Sequence, residues 1–520
     1  MKPLDLLTFL ASIGVALYSH FQLQTPFQWI GIGVFGGYAL WVGISILDSL
    51  SPQKKVMVKL AGVTWTPEDF CRGWLITGRT GCGKTQSGIN NITYQCFVNC
   101  PNWGGICLDQ KGLYWEILVQ MAKHFRRDQD LVLLQTRPID SPEDWTPKHT
   151  INITGNNAVP ASTYAKTIVD TSSSLTGGKG ETPFFKVKSQ IAIQIGFEIL
   201  RYLEAYVTIP NVHQLLLTSE GQIEAIKLLS AIGDEKSLSL LSAFNDQYLN
   251  QPPEQLGGVQ ATMDNYLRFF LNPEISDVFC ANEPTFNIDQ IDQGKIVCIA
   301  MPQKYQAERL YVNTILKLAY YFHALNRFDK KKEERDKDNI LILFADEGQE
   351  IITAAESVFA DHRSAGVIRE AKATIVLATQ AYSSLMSVLD KKHAEVLMLN
   401  LSNELIFQAA NDESAKMASK NIGEREVVEK SWGMSNGKSS KNYQKKIKPF
   451  FEAYQLRKFK KFQCVIRHCE KRWKKKFLCP INPDGTYPKW LYSMRPELAL
   501  LHYFKKNKPF VPQSKLEIAL

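Results

Sequence analysis

Between Trp74 and Thr85 the chain reads WLITGRTGCGKT, an apolar run that ends in a Gly-x-x-x-x-Gly-Lys-Thr pattern. Glycines at positions 78, 81 and 83 let the backbone of Gly78, Arg79, Thr80, Gly81, Cys82, Gly83, Lys84 and Thr85 turn its amides inward, toward phosphate oxygens. A helix expected from Gln86 onward adds the positive end of its dipole. Lys84 is placed to compensate β- and γ-phosphate charge, and the Thr85 hydroxyl to ligate Mg2+. Residues Ile340 to Glu350, ILILFADEGQE, supply a second apolar run that ends in adjacent carboxylates. There Asp346 would hold the metal ion and Glu347 would polarise an attacking water as general base. A third run, Thr374 to Thr379 (TIVLAT), stops at Gln380, whose amide could sense a γ-phosphate or position water. Arg363 and Arg369 lie upstream of it, and either could supply further positive charge to a phosphate site.

Short apolar runs that end in such residues read as buried parallel strands, which deliver their carboxyl ends to one edge of a sheet. Gly294 to Pro302 (GKIVCIAMP) reads as another, and Glu308 to Arg327 as the helix returning toward Ile340. These elements predict a doubly wound α/β fold. Thr85 and Ile340 are 255 positions apart, too far for neighbouring elements of one such fold, so an inserted domain is expected. From about Ala161 to Asn282 the apolar residues recur at three- and four-residue spacing, with breaks at Gly177 to Gly180, Pro210 and Pro252-Pro253, which predicts that the insertion is all-α.

Two apolar stretches, about 4–20 and 29–48, open the chain. The second approaches the length that a bilayer core requires, and Pro26 lies in the uncharged segment between them. Lys2 before the pair and Lys54, Lys55 and Lys59 after it place both ends on the cytoplasmic side of a transmembrane hairpin. The resulting division is 1–52 hairpin, 53–150 first part of the nucleotide-binding domain, 151–284 all-α insertion, 285–490 second part, and 491–520 a C-terminal tail.

The net charge of +9 is unevenly spread. Lys438 to Lys476 holds fifteen Lys or Arg against two acidic residues, interleaved with Tyr443, Phe450, Phe451, Tyr454, Phe459, Phe462 and Trp473. Basic residues with aromatic faces suit nucleic acid, yet the same lysines suit solvated loops around a last strand at Phe462 to Ile466. The ten cysteines form no Cys-x-x-Cys pair, which argues against a zinc site and fits a reducing compartment. Cys82, among the amides of the phosphate loop, is the one whose pKa those dipoles could lower.

The order of these motifs resembles the coupling proteins of type IV secretion and conjugation systems. Leu108 to Gly112 (LDQKG) is similar to that family's Asp-Pro-Lys-Gly strand end, with Gln110 in place of proline. Arg369-Glu370 precedes Gln380 by the family's spacing, and Asn411 to Gly423 (NDESAKMASKNIG) is similar to its Asn-Asp-x-x-(Thr/Ser)-Ala box. Lys372 stands where the family commonly has glycine. The resemblance implies a RecA-like P-loop ATPase using ATP and Mg2+, a homo-hexamer in the bacterial inner membrane with its ATPase domain cytoplasmic. It implies Arg369 rather than Arg363 as an arginine acting on a neighbour's site. DNA or a relaxase-DNA complex would be the substrate and channel proteins the partners; an adaptor for protein substrates and a chromosome-partitioning translocase are the alternatives.

Overall fold

The computed structural model describes residues 55–176, 182–353, 359–435 and 438–495. The stretches 4–20 and 29–48 and the tail beyond residue 495 lie outside these, and among the described residues no helix is long and apolar enough to cross a membrane.

Thirteen strands are described. β1 (Val58–Leu60) and β2 (Val63–Trp65) form a small hairpin ahead of the main sheet. β3 (Trp74–Thr77), β4 (Gly104–Asp109), β5 (Leu131–Gln135), β6 (Ile296–Ala300), β7 (Leu341–Asp346), β8 (Ala373–Thr379) and β9 (Asn403–Ile406) are all parallel, in the order β9-β3-β8-β7-β4-β6-β5. Among the described residues, β10 (Glu424–Ser435) and β11 (Lys438–Pro449) pair only with each other. β12 (Gln463–His468) and β13 (Lys471–Phe477) extend the sheet antiparallel beyond β9, giving nine strands.

Every residue of β3, β7 and β8 is buried, which is why they read as continuous apolar runs. Their side chains alternate between two cores. Leu75, Leu341, Leu343 and Ala345 face one, while Trp74, Ile76, Ile342 and Phe344 face the other. β8 inserts between β3 and β7, so the phosphate loop and the acidic strand end stand one strand apart, with Gln380 between them.

Between β5 and β6 the chain forms helices over 161–176, 183–202, 209–217, 219–232, 235–244, 253–267 and 273–279. Pro183, Pro210, Pro253 and Pro273 sit in first turns, where a missing N–H costs nothing. Thr208, Thr218, Asp234 and Asn272 cap their helices through side-chain oxygens. The helix Gln306–Asn326 joins this layer to the sheet: the Tyr311 hydroxyl lies 3.0 Å from the Ile168 carbonyl and 2.9 Å from that of Tyr266.

The basic segment 438–476 is not one element. It supplies β11, a short helix over Ala453–Arg457, β12 and most of β13. The strand expected at Phe462 to Ile466 is present as β12, but it runs antiparallel to β9 and turns back into a lysine-rich edge strand. Lysines on an edge strand discourage edge-to-edge pairing. β12 is held by Arg467, which donates to the buried carboxylate of Glu404 at 2.7 Å; Tyr382 donates to the same carboxylate at 2.7 Å.

Gly105 sits where β4 meets β7, at φ 150°, and a Cβ there would lie 1.9 Å from the Ile342 carbonyl oxygen. Gly105→Ala is therefore expected to force apart the two strands that carry Asp109 and Asp346, at a cost of about 3 kcal/mol. Chemical denaturation checks this, and an unchanged midpoint would contradict the strand packing.

Candidate active site

The carboxyl ends of β3, β4, β7 and β8 converge on one edge of the sheet. Gly78, Gly81 and Gly83 have φ of 151°, 77° and 105°, values that side-chain-bearing residues rarely adopt. Two of them also leave no room for a Cβ. At Gly78 it would meet the Cys82 thiol at 2.8 Å, and at Gly83 the Phe462 ring at 2.3 Å. Arg79, Thr80 and Gly81 form the exposed rim of the loop, and the Arg79 amide donates to the Gln408 carbonyl at 2.8 Å. The helix after the loop opens with a π-turn over Lys84–Ile89, in which the Asn90 amide bonds to the Thr85 carbonyl, before continuing as α-helix to Asn99.

Lys84 is buried, and its Nζ donates to the Gly78 carbonyl at 2.6 Å. The Thr85 hydroxyl donates to Asp346 Oδ2 at 2.8 Å, across 261 residues of sequence. Burial pushes the Asp346 carboxyl pKa up; the Thr85 hydrogen bond works against that and the neighbouring Asp109 adds to it. A hydroxyl beside a carboxylate is the hard-oxygen donor pair that Mg2+ takes, so these residues fit that ion.

Glu347 holds φ 52° and ψ 41°, a left-handed conformation rarely taken outside glycine, asparagine and aspartate. Such strain persists only where surrounding contacts impose it. Here Lys111 Nζ lies 2.8 Å from Glu347 Oε1, while Gln349 and Gln380 donate to Oε2 at 2.9 and 3.2 Å. Burial acts to raise the Glu347 pKa, but the hydrogen bonds from Gln349 and Lys111 outweigh it and hold the carboxyl below its ordinary value. The result is an ionised carboxylate in a cleft that Lys111, Gln349 and Gln380 also line.

Lys111 is aimed by its loop. Asp109 Oδ1 accepts from the Lys111 amide at 2.9 Å, and Oδ2 accepts from the amides of Leu113 and Tyr114 at 2.8 and 2.9 Å. Arg309, fully buried, donates to the carbonyls of Gln110 and Met301 at 2.7 and 3.0 Å.

The structure thus brings together the phosphate loop, Lys84, Thr85, Asp346, Glu347 and Gln380. Arg369 stands elsewhere. It precedes β8 in a 3-10 turn over Ile368–Ala371 while Gln380 follows that strand, so the seven residues of β8 put about 23 Å of strand between the two. Both Arg369 and Arg363 are exposed. Lys372 takes φ 54°, the conformation for which glycine is the easier residue. The LDQKG segment was visible in the sequence, but the place of Lys111 in the site was not, nor were those of Gln349 and Phe462, whose contacts with the site come only from folding.

Residues 57–472 match the family of type IV secretion-system coupling proteins, over their DNA-binding domain. The chain belongs to that family. Its fold is shared by solved coupling proteins at low identity. The bacterial conjugative coupling protein TrwBdeltaN70, in an unbound monoclinic form, is 13% identical with a TM-score of 0.60, over 84% of this chain and 91% of that one. The plasmid coupling protein TrwB in complex with ADP and Mg2+ is 13% identical with a TM-score of 0.58, over 85% and 95%. TrwB with the ATP analogue ADPNP gives 13% and 0.60, over 85% and 94%. No curated protein sequence matches the chain.

For Cys82 the expectation of a lowered pKa is overturned. The thiol is buried, and desolvation pushes it up despite the nearby Lys84 charge and loop amides. Iodoacetamide at neutral pH is accordingly expected to leave Cys82 unlabelled in the folded protein and to label it readily in urea. Peptide mass mapping reads this out, and fast labelling of the folded form would contradict the buried, protonated thiol.

Proposed function

We propose that this coupling protein is a membrane-anchored ATPase that works as a homo-hexamer, recruiting DNA or nucleoprotein and driving it into a type IV secretion channel. The observation that carries the reading is the convergence of Lys84, the Thr85–Asp346 pair and an ionised Glu347 at one sheet edge. Thr85 and Asp346 would hold Mg2+, which when bound neutralises developing phosphate charge. Glu347 takes the proton of the attacking water, and Gln380, bonded to it, orients that water. Lys84 leaves the Gly78 carbonyl to meet the β- and γ-phosphates.

Arg369 is exposed and remote from its own chain's site, which supports a role on a neighbour's nucleotide. The stretches 4–20 and 29–48, with flanking lysines, support a hairpin anchor in the inner membrane that leaves the ATPase domain in the cytoplasm. The basic residues of β11 and β13 support contact with DNA phosphates, although Lys446 and Lys448 already pair with Glu429.

Lys84→Ala is expected to lower ATP turnover by about a hundredfold or more, and turnover near wild type would sink the site assignment. Lys111→Ala removes a cation that lowers the Glu347 pKa. The carboxylate then ionises at higher pH, so the acid limb of the turnover–pH profile moves to higher pH; an unmoved limb would separate Glu347 from the base role. Mixing Arg369→Ala with Lys84→Ala subunits is expected to restore part of the lost activity, and no rescue at any ratio counts against an arginine acting in trans. Single-stranded DNA is expected to stimulate turnover, with a stimulation that fades as salt rises. Turnover indifferent to DNA moves the reading to an adaptor for protein substrates.

A further inference from the structure

A nucleotide held at the phosphate loop has a direction. Its γ-phosphate end is set by Asp346, Glu347 and Gln380, at the ends of β7 and β8, which lie on one side of β3. Its ribose and base therefore leave the loop on the other side of β3, where the sheet continues to β9 and β12. On that side stands an aromatic pair that the chemistry above does not use.

Phe462 immediately precedes β12, and its backbone is in the left-handed region at φ 67°. Its amide donates to the Cys82 carbonyl at 2.9 Å, tying it to the phosphate loop. The ring is 3% exposed and covers Gly83 so closely that no Cβ fits there. Trp490 stacks on Phe462 with centroids 5.6 Å apart and planes 18° from parallel. Unlike its partner it is 43% exposed. Lys461 Nζ lies 5.0 Å from the Phe462 centroid and 6.0 Å from that of Trp490.

The segment that carries Trp490 is fastened to the helix following the loop. Asn91 Nδ2 donates to the Cys479 carbonyl at 2.8 Å, and the Ile481 amide to the Gln86 carbonyl at 3.3 Å, one residue beyond Thr85. Leu491, next to Trp490, is fully buried. An indole stacked on a buried ring that itself covers Gly83 is already ordered, so a base that stacks on it loses little conformational freedom to side-chain ordering.

We propose that Trp490 is the stacking platform for the base of the bound nucleotide, with Phe462 fixing its position and Lys461 adding positive charge at the ribose end. The inference rests on the nucleotide reading of the phosphate loop. Stacking is indifferent to which base is presented, so ATP and GTP should both depend on Trp490.

The test is calorimetric titration of the full-length protein in detergent, with Mg2+ present, using ATP, GTP and inorganic tripolyphosphate, which has no base. Trp490→Ala is expected to weaken ATP and GTP by about tenfold and to leave tripolyphosphate unchanged, while Trp490→Phe keeps ATP within about twofold of wild type. Unchanged ATP affinity in Trp490→Ala overturns the platform, as does an equal loss for ATP and tripolyphosphate, which would mark a purely structural role. If wild type binds neither ATP nor tripolyphosphate, the phosphate-loop reading itself falls and the platform with it.

Discussion

Three carboxylates, Asp109, Asp346 and Glu347, crowd the carboxyl edge of one parallel sheet, and the surrounding site is arranged so that they can stand there. Asp109 and Asp346 are register partners on adjacent strands. Burying like charges side by side is unfavourable, and the chain answers each one differently. Asp109 spends its oxygens on three backbone amides. Asp346 takes the Thr85 hydroxyl and is pushed toward its neutral form. Glu347 takes Lys111, Gln349 and Gln380 and stays ionised. Two neighbouring carboxyl groups are thereby driven apart in pKa, Asp346 up by burial and Glu347 down by its hydrogen-bond donors, so the two need not carry full charge side by side.

The fold makes that arrangement possible by its strand order. β8 lies between β3 and β7, so a gap one strand wide separates the phosphate loop from Glu347, and Gln380 projects from the strand that fills it. Parallel strands also put all their carboxyl ends on one edge, which brings Lys84 and Glu347 together across more than half of the chain. The same order leaves β9 and β12 on the far side of the loop, where Phe462 and Trp490 stand.

Much of this was legible because fully buried strands are nearly pure apolar runs that stop at a functional residue. WLIT, LILFAD and ATIVLAT announce themselves in that way, and Gly-x-x-x-x-Gly-Lys-Thr names its own chemistry. β10 and β11 were not anticipated: no described residue of the hairpin is buried, so no apolar alternation marks it. The Asn436-Gly437 pair in the sequence was the available signal. Spacing could not show that Lys111 would meet Glu347, 236 positions away, or that Phe462 would close over Gly83. Nor could loop dipoles predict Cys82, because its burial outweighs them.

On this reading Glu347 is the base of an ATP-hydrolysing site rather than a structural carboxylate. Single-turnover hydrolysis by Glu347→Gln, measured beside ATP binding by the same variant, tests it most directly. ATP binding is expected to be retained, since the phosphate loop and Asp346 are intact, while the chemical step slows by about two orders of magnitude or more. Single-turnover rates within a few-fold of wild type, with ATP bound normally, would contradict it.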